Sequence, residues 1–337
     1  MADSQSFLAE IVGEDSLAGQ RMQAGAILDL IDVLAGRIAV AHVQGPVVTL
    51  SFDQVDLTYP ILHQDLVRLE GQLAAVGNSS MVIHVQGFRM DSLSRRFMPI
   101  QSCFVTMVAV DENLRPNRNT PTLEITSPED RKLHEAALAY KAQSAAWEKA
   151  EREAPPLGIL KAKDLEEQPN REKTEWISPS DTEITLRRVF LPRHNNVLGT
   201  IFGGDILLWM DRVATFCARH FTRNRHMVTI AMNRIFFRRP IYTSDLVEID
   251  ARVVMVRNFT LEVETVVRVQ RISGEIVDTH SGYFTVLSYD EAGFKRPIST
   301  GLKLEDADQD GLRRYLKALE RRSHWKDSHA AEPHERA

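Results

Sequence analysis

Cysteine is nearly absent from this chain. Cys103 and Cys217 are the only two in 337 residues, too few for a disulfide framework or a cysteine-built metal site, and both read as small core residues. Long apolar runs are also missing, with no stretch approaching the roughly 18 uninterrupted apolar residues of a membrane helix. The first residues, Met-Ala-Asp-Ser-Gln-Ser-Phe-Leu-Ala-Glu, carry neither the basic and apolar pattern of a signal peptide nor an arginine-rich transit pattern, so the cytoplasm is expected. Nor is there an excess of positive charge: 41 Lys and Arg stand against 46 Asp and Glu, a net charge of −5, which argues against a general nucleic-acid surface.

What the chain does have is an internal repeat. Pro60, Ile61, Asp65, Leu66 and Val67 recur as Pro240, Ile241, Asp245, Leu246 and Val247, and Val48, Thr49, Val76 and Asn78 recur as Val228, Thr229, Val256 and Asn258, all 180 positions apart. With a one-residue shift, Ile27, Leu28 and Asp32 pair with Ile206, Leu207 and Asp211, while Ser102, Thr106 and Asp111 pair with Ser281, Thr285 and Asp290. The chain reads as a tandem duplication, long enough to bury two cores of ordinary size.

Local patterning places the same elements in both copies. The second has an alternating strand at 182–191, a helix over 203–220 that is apolar on most of its circumference, and strands near 227–237, 244–256, 259–272 and 276–289, with turns around Asn258 and Ser273-Gly274. A helix of that kind must be enclosed, and strands with short links make an antiparallel sheet. The first has a helix near 25–42, strands near 46–57, 64–76, 79–89 and 99–110, and a leading strand compressed into 4–13. Between them, Pro128-Glu129-Asp130 opens a charged, alanine-rich helix running to Glu153, with Ser127 as its N-cap and Pro155-Pro156 as its stop. The stretch onward to Glu175 reads as a mobile or surface-hugging linker. Leu312, Tyr315, Leu316 and Leu319 mark a last helix, about Asp308 to Ser323, that docks on the body, and the residues after His324 read as disordered.

The densest chemical signal lies in 192–211. A polar loop carrying Asn196 feeds into Gly203 and Gly204, where unbonded amides at a helix start can polarise a carbonyl oxygen. A glycine pair before a helix is by itself more often a tight turn or a packing point. Further along the helix Asp211 stands among Trp209, Met210 and Val213, where desolvation would raise its pKa and make it a candidate base.

The run Asn196-Val-Leu-Gly-Thr-Ile-Phe-Gly203-Gly204, followed by Trp209-Met210-Asp211, Phe236-Phe237-Arg-Arg-Pro240-Ile241 and Asp245-Leu-Val-Glu248, resembles the acyl-CoA thioesterase family, and the duplicated arrangement resembles the tandem type found in mitochondria and some bacteria. The resemblance spans about 20–116 and 180–300. It implies an α+β fold of two tandem hot-dog domains, each an antiparallel sheet wrapped around a long central helix. The corresponding division is a first repeat at 4–116 with an eroded motif, a charged helical linker at 117–178, a second repeat at 179–300, and a C-terminal helix and tail at 301–337. The implied activity is hydrolysis of acyl-CoA with no cofactor.

In that family the Asn loop of one hot-dog unit works with the helix carboxylate of the other. Here the first repeat has Ser16-Leu17-Ala18-Gly19 where the Asn loop belongs and Gln23-Ala24-Gly25 in place of the glycine pair, yet it keeps Asp32. The resemblance therefore implies one complete site, made by Asn196, Gly203 and Gly204 with Asp32, and a vestigial one around Asp211. Asp32 would activate water or attack directly, and sequence leaves both routes open. Arg193, Arg234, Arg238 and Arg239, with His194 and Phe202, are expected to meet the substrate, two of the arginines pairing instead with Asp245 or Glu248. His194 has no metal-ligand companion, so no metal is assigned. A homotrimer of double hot-dog chains is expected, with the two sheets of each chain joined edge to edge and broad outer faces covered by other copies, unless the charged linker helix caps those faces and leaves a monomer. Two other readings remain open: a dehydratase acting on acyl thioesters, and a non-catalytic acyl-CoA-binding or assembly protein.

Overall fold

The computed structural model describes residues 4–12, 21–91, 94–153, 158–165 and 173–329. The first repeat comprises β1 (Gln5–Ile11), α1 (Ala24–Val43), β2 (Val47–Phe52), β3 (Val55–Asp56), β4 (Leu66–Val76), β5 (Ser80–Met90) and β6 (Phe97–Ala109). A linker helix α2 (Pro128–Glu153) and strand β7 (Glu175–Ile177) precede the second repeat, made of β8 (Ile184–Val189), α3 (Gly203–Thr222), β9 (Met227–Phe237), β10 (Leu246–Val256), β11 (Thr260–Gln270) and β12 (Ile276–Ser288). Strand β13 (Thr300–Leu302) and helix α4 (Gln309–His329) close the described chain.

All the long strands join one sheet in the order β1-β4-β5-β6-β2-β9-β12-β11-β10-β8. Read outward from the middle, each half runs through its elements in the same order, so the two repeats are related by a pseudo-twofold axis between β2 and β9. The seam is antiparallel, with Ser51 opposite Phe236 and Phe52 opposite Ile235, as the edge-to-edge expectation required. One strand was expected at 46–57; the chain instead breaks after Phe52, and β3 pairs separately with β9, Val55 opposite Met232.

Each repeat wraps its sheet around its own helix, forming two hot-dog domains. Ile27, Leu28, Ile31, Leu34, Ala35 and Ile38 of α1 are fully buried, as are Ile206, Leu207, Met210, Val213 and Ala214 of α3. Enclosing an aliphatic side chain of this size contributes about 1.5–3 kcal/mol. Both helices end the same way, in a left-handed residue at equivalent positions, Gln44 (φ 49°) and Arg223 (φ 51°). The helices also pack on each other, and glycines permit the approach. A Cβ on Gly25 would lie 2.8 Å from the Leu208 Cα, and one on Gly204 would lie 3.0 Å from the Asp29 Cα. These two contacts are images of each other across the pseudo-twofold, and they bring each helix start against the middle of the other helix.

The linker helix begins as its sequence indicated: Asp130 N–H donates to Ser127 Oγ (3.0 Å) and Ser127 N–H to an Asp130 carboxylate oxygen (3.1 Å). It lies on the outer face of the first repeat, where Ala137 and Tyr140 pack on Ala74, Ala75 and Val82. The described part of the linker hugs the body. Leu160 exchanges hydrogen bonds with the Gln309 side chain (2.9 Å each way), and β7 pairs in parallel with β13. Pro155, Pro156 and the Ser16-Leu17-Ala18-Gly19 segment lie outside the described residues. The last helix runs on to His329, beyond the end expected near Ser323, and the tail from 330 lies outside the description. It docks on the second repeat through Leu312, Tyr315 and Ala318, with Arg252 bridging Glu183 and Asp310. Outer sheet faces that the sequence assigned to chain-chain contact are thus partly covered by α2 and α4. Cys103 and Cys217 are buried free thiols. No described helix is long and apolar enough to cross a membrane.

Candidate functional site

The N-terminus of α3 meets α1 at Asp32. Asp32 is fully enclosed, and its two oxygens accept from different elements: Oδ1 from the Thr49 hydroxyl on β2 (2.7 Å) and Oδ2 from the Gly204 amide (2.8 Å). Burial raises its pKa from the ordinary carboxylate value to about 7, against the lowering effect of the Thr49 and Gly204 hydrogen bonds. This carboxyl is therefore balanced between its protonation states near neutrality, which is what a general base at that pH requires. Gly203 forms the wall in front of it. A Cβ there would lie 2.8 Å from Asp32 Oδ2 and 3.1 Å from Phe237 Cε1, so the Gly203 backbone packs directly against the carboxylate with no room for a side chain between them.

On its other side Gly203 lines a cleft of about 1120 Å³. Asn196, Phe202, Gly203, Thr49, Phe237 and His280 line it together with apolar Val33, Val40, Val47 and Met107, and Arg238 and Arg239 are its exposed cations. Asn196 holds its own loop: Oδ1 accepts the Leu198 (2.9 Å) and Thr200 (3.2 Å) amides, and Nδ2 donates to Thr200 Oγ1 (2.9 Å). The second Nδ2 hydrogen is left for a ligand. His194 is buried at the base of the same loop. Its Nδ1 bonds the Leu191 amide at 3.0 Å and its ring stands edge-on to Phe190, so it braces the loop.

Several expected placements need correction. The Gly204 amide does not face an oxyanion; the Asp32 carboxylate, the strongest acceptor within reach, takes it, and Gly203 N–H is left as the helix-start donor without an acceptor among the described residues. Arg234 does not line the cleft. Its positive φ of 51° turns it toward the linker, where the guanidinium sits 3.9 Å over the Trp147 ring. Arg193 is exposed on the short turn before the Asn loop and is not on the cleft wall. Asp245 and Glu248 pair with none of the four arginines named from sequence: Arg271 takes Asp245, while Arg187 (2.7 Å) and Arg268 take Glu248. Arg187 and Arg268 stand opposite Glu248 on the neighbouring strands, and Asp245 and Arg271 adjoin the facing ends of β10 and β11, so these pairs are a matter of sheet register.

The pseudo-twofold builds a partial copy of the site. Asp211 is also fully buried, with its pKa raised by burial, and accepts the Gly25 amide at 2.9 Å. Thr229, the counterpart of Thr49, lies near enough to lower that pKa, yet Asp211 Oδ1 has no hydrogen-bond partner among the described residues. In front of it Ala24 replaces Gly203. Sequence reasoning noted Thr49 and Thr229 only as members of the repeat and gave them no role; their recurrence opposite two helix acids was the available signal. His280 had none.

The sequence profile of the Thioesterase superfamily matches residues 22–94 and 198–276. Over 305 residues, 89% of this chain, the sequence is 24% identical to acyl-coenzyme A thioesterase 11 of Mus musculus, and the match covers 49% of that protein. The chain thus spans about half the length of this relative. Over 107 residues it is 33% identical to an uncharacterized acyl-CoA thioester hydrolase of Zymomonas mobilis, a match covering 32% of this chain and 72% of the other. A Lactobacillus plantarum structure named as an oleoyl thioesterase superposes with a TM-score of 0.52 at 10% identity, covering 86% of this chain and 98% of its own, which speaks for the fold.

Proposed function

Because the chain belongs to the thioesterase superfamily, we propose that it hydrolyses acyl-CoA to a free acid and CoA at the site shared by Asp32 and the Asn196–Gly204 segment. The observation that carries this reading is the Asp32 carboxyl, held at a pKa of about 7 behind the side-chain-free Gly203 on the wall of the cleft. In this reading ionised Asp32 removes the proton of a water as the water oxygen bonds the thioester carbon. The carbonyl pair moves onto oxygen toward the Gly203 amide. Asn196, with its free Nδ2 hydrogen, orients the water or the carbonyl. When the carbonyl reforms, the C–S bond breaks and the CoA thiolate recovers the proton from Asp32.

The cleft supports the same substrate. Its apolar lining suits an acyl chain, and exposed Arg238 and Arg239 suit CoA phosphates. The units doing this work are the repeats at 4–116 and 179–300, which α2 of the segment 117–178 and α4 of the segment 301–337 partly cover. Two buried free thiols suit a reducing compartment such as the cytoplasm. The direct test is release of free thiol from acyl-CoA esters by purified protein; binding without release overturns hydrolysis in favour of an acyl-CoA-binding role.

The pH profile follows from the Asp32 environment. A base must be ionised to act, so kcat/KM is expected to fall as pH drops through about 7. The Thr49 hydrogen bond lowers that pKa. Thr49→Val should therefore move the acidic limb to higher pH, read from kcat/KM profiles of the two proteins; an unmoved limb would detach the limb from Asp32.

For assembly we propose a homotrimer. Its support is that β1 and β8 are the two open edges of the sheet and carry exposed Phe7, Ile11 and Val189, a surface that further copies would cover. Light scattering at micromolar concentration should return the mass of three chains, and a single-chain mass would overturn the proposal.

A further inference from the structure

His280 stands on the inner face of β12, directly opposite Phe237 in the sheet register. Its ring meets the Phe237 ring edge-on, with centroids 4.7 Å apart, and Phe237 in turn reaches the space beside Gly203. His280, Phe237 and Gly203 thus follow one another along the inner wall of the cleft. The imidazole is only 5% exposed. Its Nδ1 is enclosed and has no partner, and neither ring nitrogen makes a hydrogen bond among the described residues. Since Nδ1 is sealed, Nε2 is the nitrogen the ring presents to the cleft.

A buried polar group without a partner calls for an explanation, and here the cleft offers one: the partner arrives with the ligand. An enclosed bare lone pair is tolerated better than an enclosed N–H, so the proton belongs on Nε2, facing the cleft. The helix start has a matching deficit. With the Gly204 amide engaged by Asp32, Gly203 N–H is the first-turn amide on the cleft wall left for a developing oxyanion.

We propose that His280 is a catalytic residue, its Nε2–H donating to the thioester carbonyl oxygen and completing with the Gly203 amide a two-donor oxyanion hole. This rests on the hydrolase reading of the site. As water adds to the carbonyl carbon and gives its proton to Asp32, the π pair of the C=O bond becomes the oxygen lone pair that His280 and Gly203 hold. As the pair returns, the C–S bond breaks and the thiolate takes the proton from Asp32. The His280 ring itself neither gains nor loses a proton. Burial, reinforced by Arg238, lowers its pKa to about 3, so the imidazole is a neutral donor throughout the working range, and a neutral donor fits a role in polarising a carbonyl.

The test compares His280→Leu and His280→Gln with the wild type, measuring thiol release from saturated acyl-CoA esters ranging from acetyl to palmitoyl, with melting temperatures in parallel. The fold already accommodates glutamine at the pseudo-equivalent position, Gln101, which is also buried, and the glutamine amide can donate. The expected result for leucine is a fall in kcat of about a hundredfold with KM nearly unchanged, and for glutamine activity within about tenfold of wild type. An unchanged kcat in the leucine variant, a rise in KM alone, or an equal loss in both variants would overturn the proposal. Absence of thiol release by the wild type would instead overturn the hydrolase reading, and the His280 assignment with it.

Discussion

Asp32→Asn is expected to lower kcat by about 10²–10⁴-fold, while Asp211→Asn leaves most of the activity in place. The substitution removes the base and little else. Asparagine has the same shape, its oxygen can still accept the Gly204 amide, and the Thr49 hydroxyl can turn to accept from the new NH₂. Folding should not suffer, as the linkage sign shows. The folded-state pKa of Asp32, about 7, lies above the ordinary aspartate value of 3.8. The native state therefore holds the proton more tightly than the unfolded chain, and stability declines as pH rises from near 4 to 7. A neutral side chain escapes that decline, so the variant should melt no lower than wild type at pH 8 while hydrolysing acyl-CoA far more slowly. Asp211 faces Ala24 where Asp32 faces Gly203, and of these two helix starts it is Gly203, with Asn196, that lines the cleft. If Asp211→Asn abolishes turnover while Asp32→Asn preserves it, the working site is the other one.

Gly203→Ala should be nearly as damaging, through shape alone. The new methyl would lie 2.8 Å from Asp32 Oδ2 and 3.1 Å from Phe237 Cε1, pushing the carboxylate from its position. Overpacking of this kind costs about 1–3 kcal/mol of stability, and misplacing a reacting group by about an ångström costs on the order of 10²-fold in rate. The measurement is kcat/KM at a temperature well below the melting point of the variant. Ala24→Gly serves as the control: it makes the converse change, removing one methyl at the mirror position, and should leave kcat/KM near wild type. Full activity in Gly203→Ala would mean that turnover does not depend on the position of the Asp32 carboxylate.

Much of the architecture was legible before any coordinates. The spacing of Pro60 to Val67 and Pro240 to Val247 announced two copies, and the expected strand at 227–237 coincides with β9. Alternation, turn residues and caps are local, so a short window contains the whole cause. Ser127 illustrates this, because its capping partner is only three residues away. The expected end of the last helix fell short at Ser323 because charge and low apolar content say little about where a docked helix stops. The strand at 46–57 was read as unbroken because the break after Phe52 is imposed by pairing with β9, which lies far along the chain.

The sequence by itself determined the duplication, the helix-and-sheet content of each copy, and the list of groups from which a site could be made, including Asn196, Gly203, Asp32 and Asp211. Tertiary structure alone decided their relations. Gly25 and Gly204 let α1 and α3 approach closely, and that approach hands the Gly204 amide to Asp32, while the wrapping of β2 around α1 brings Thr49 to its other oxygen. Tertiary structure also sent Arg234 to Trp147 and set His280 on the cleft wall. The physical reason is distance along the chain: periodicity and propensity act over a few residues, whereas the pKa of Asp32 depends on burial among elements that meet only after both repeats have closed on one another.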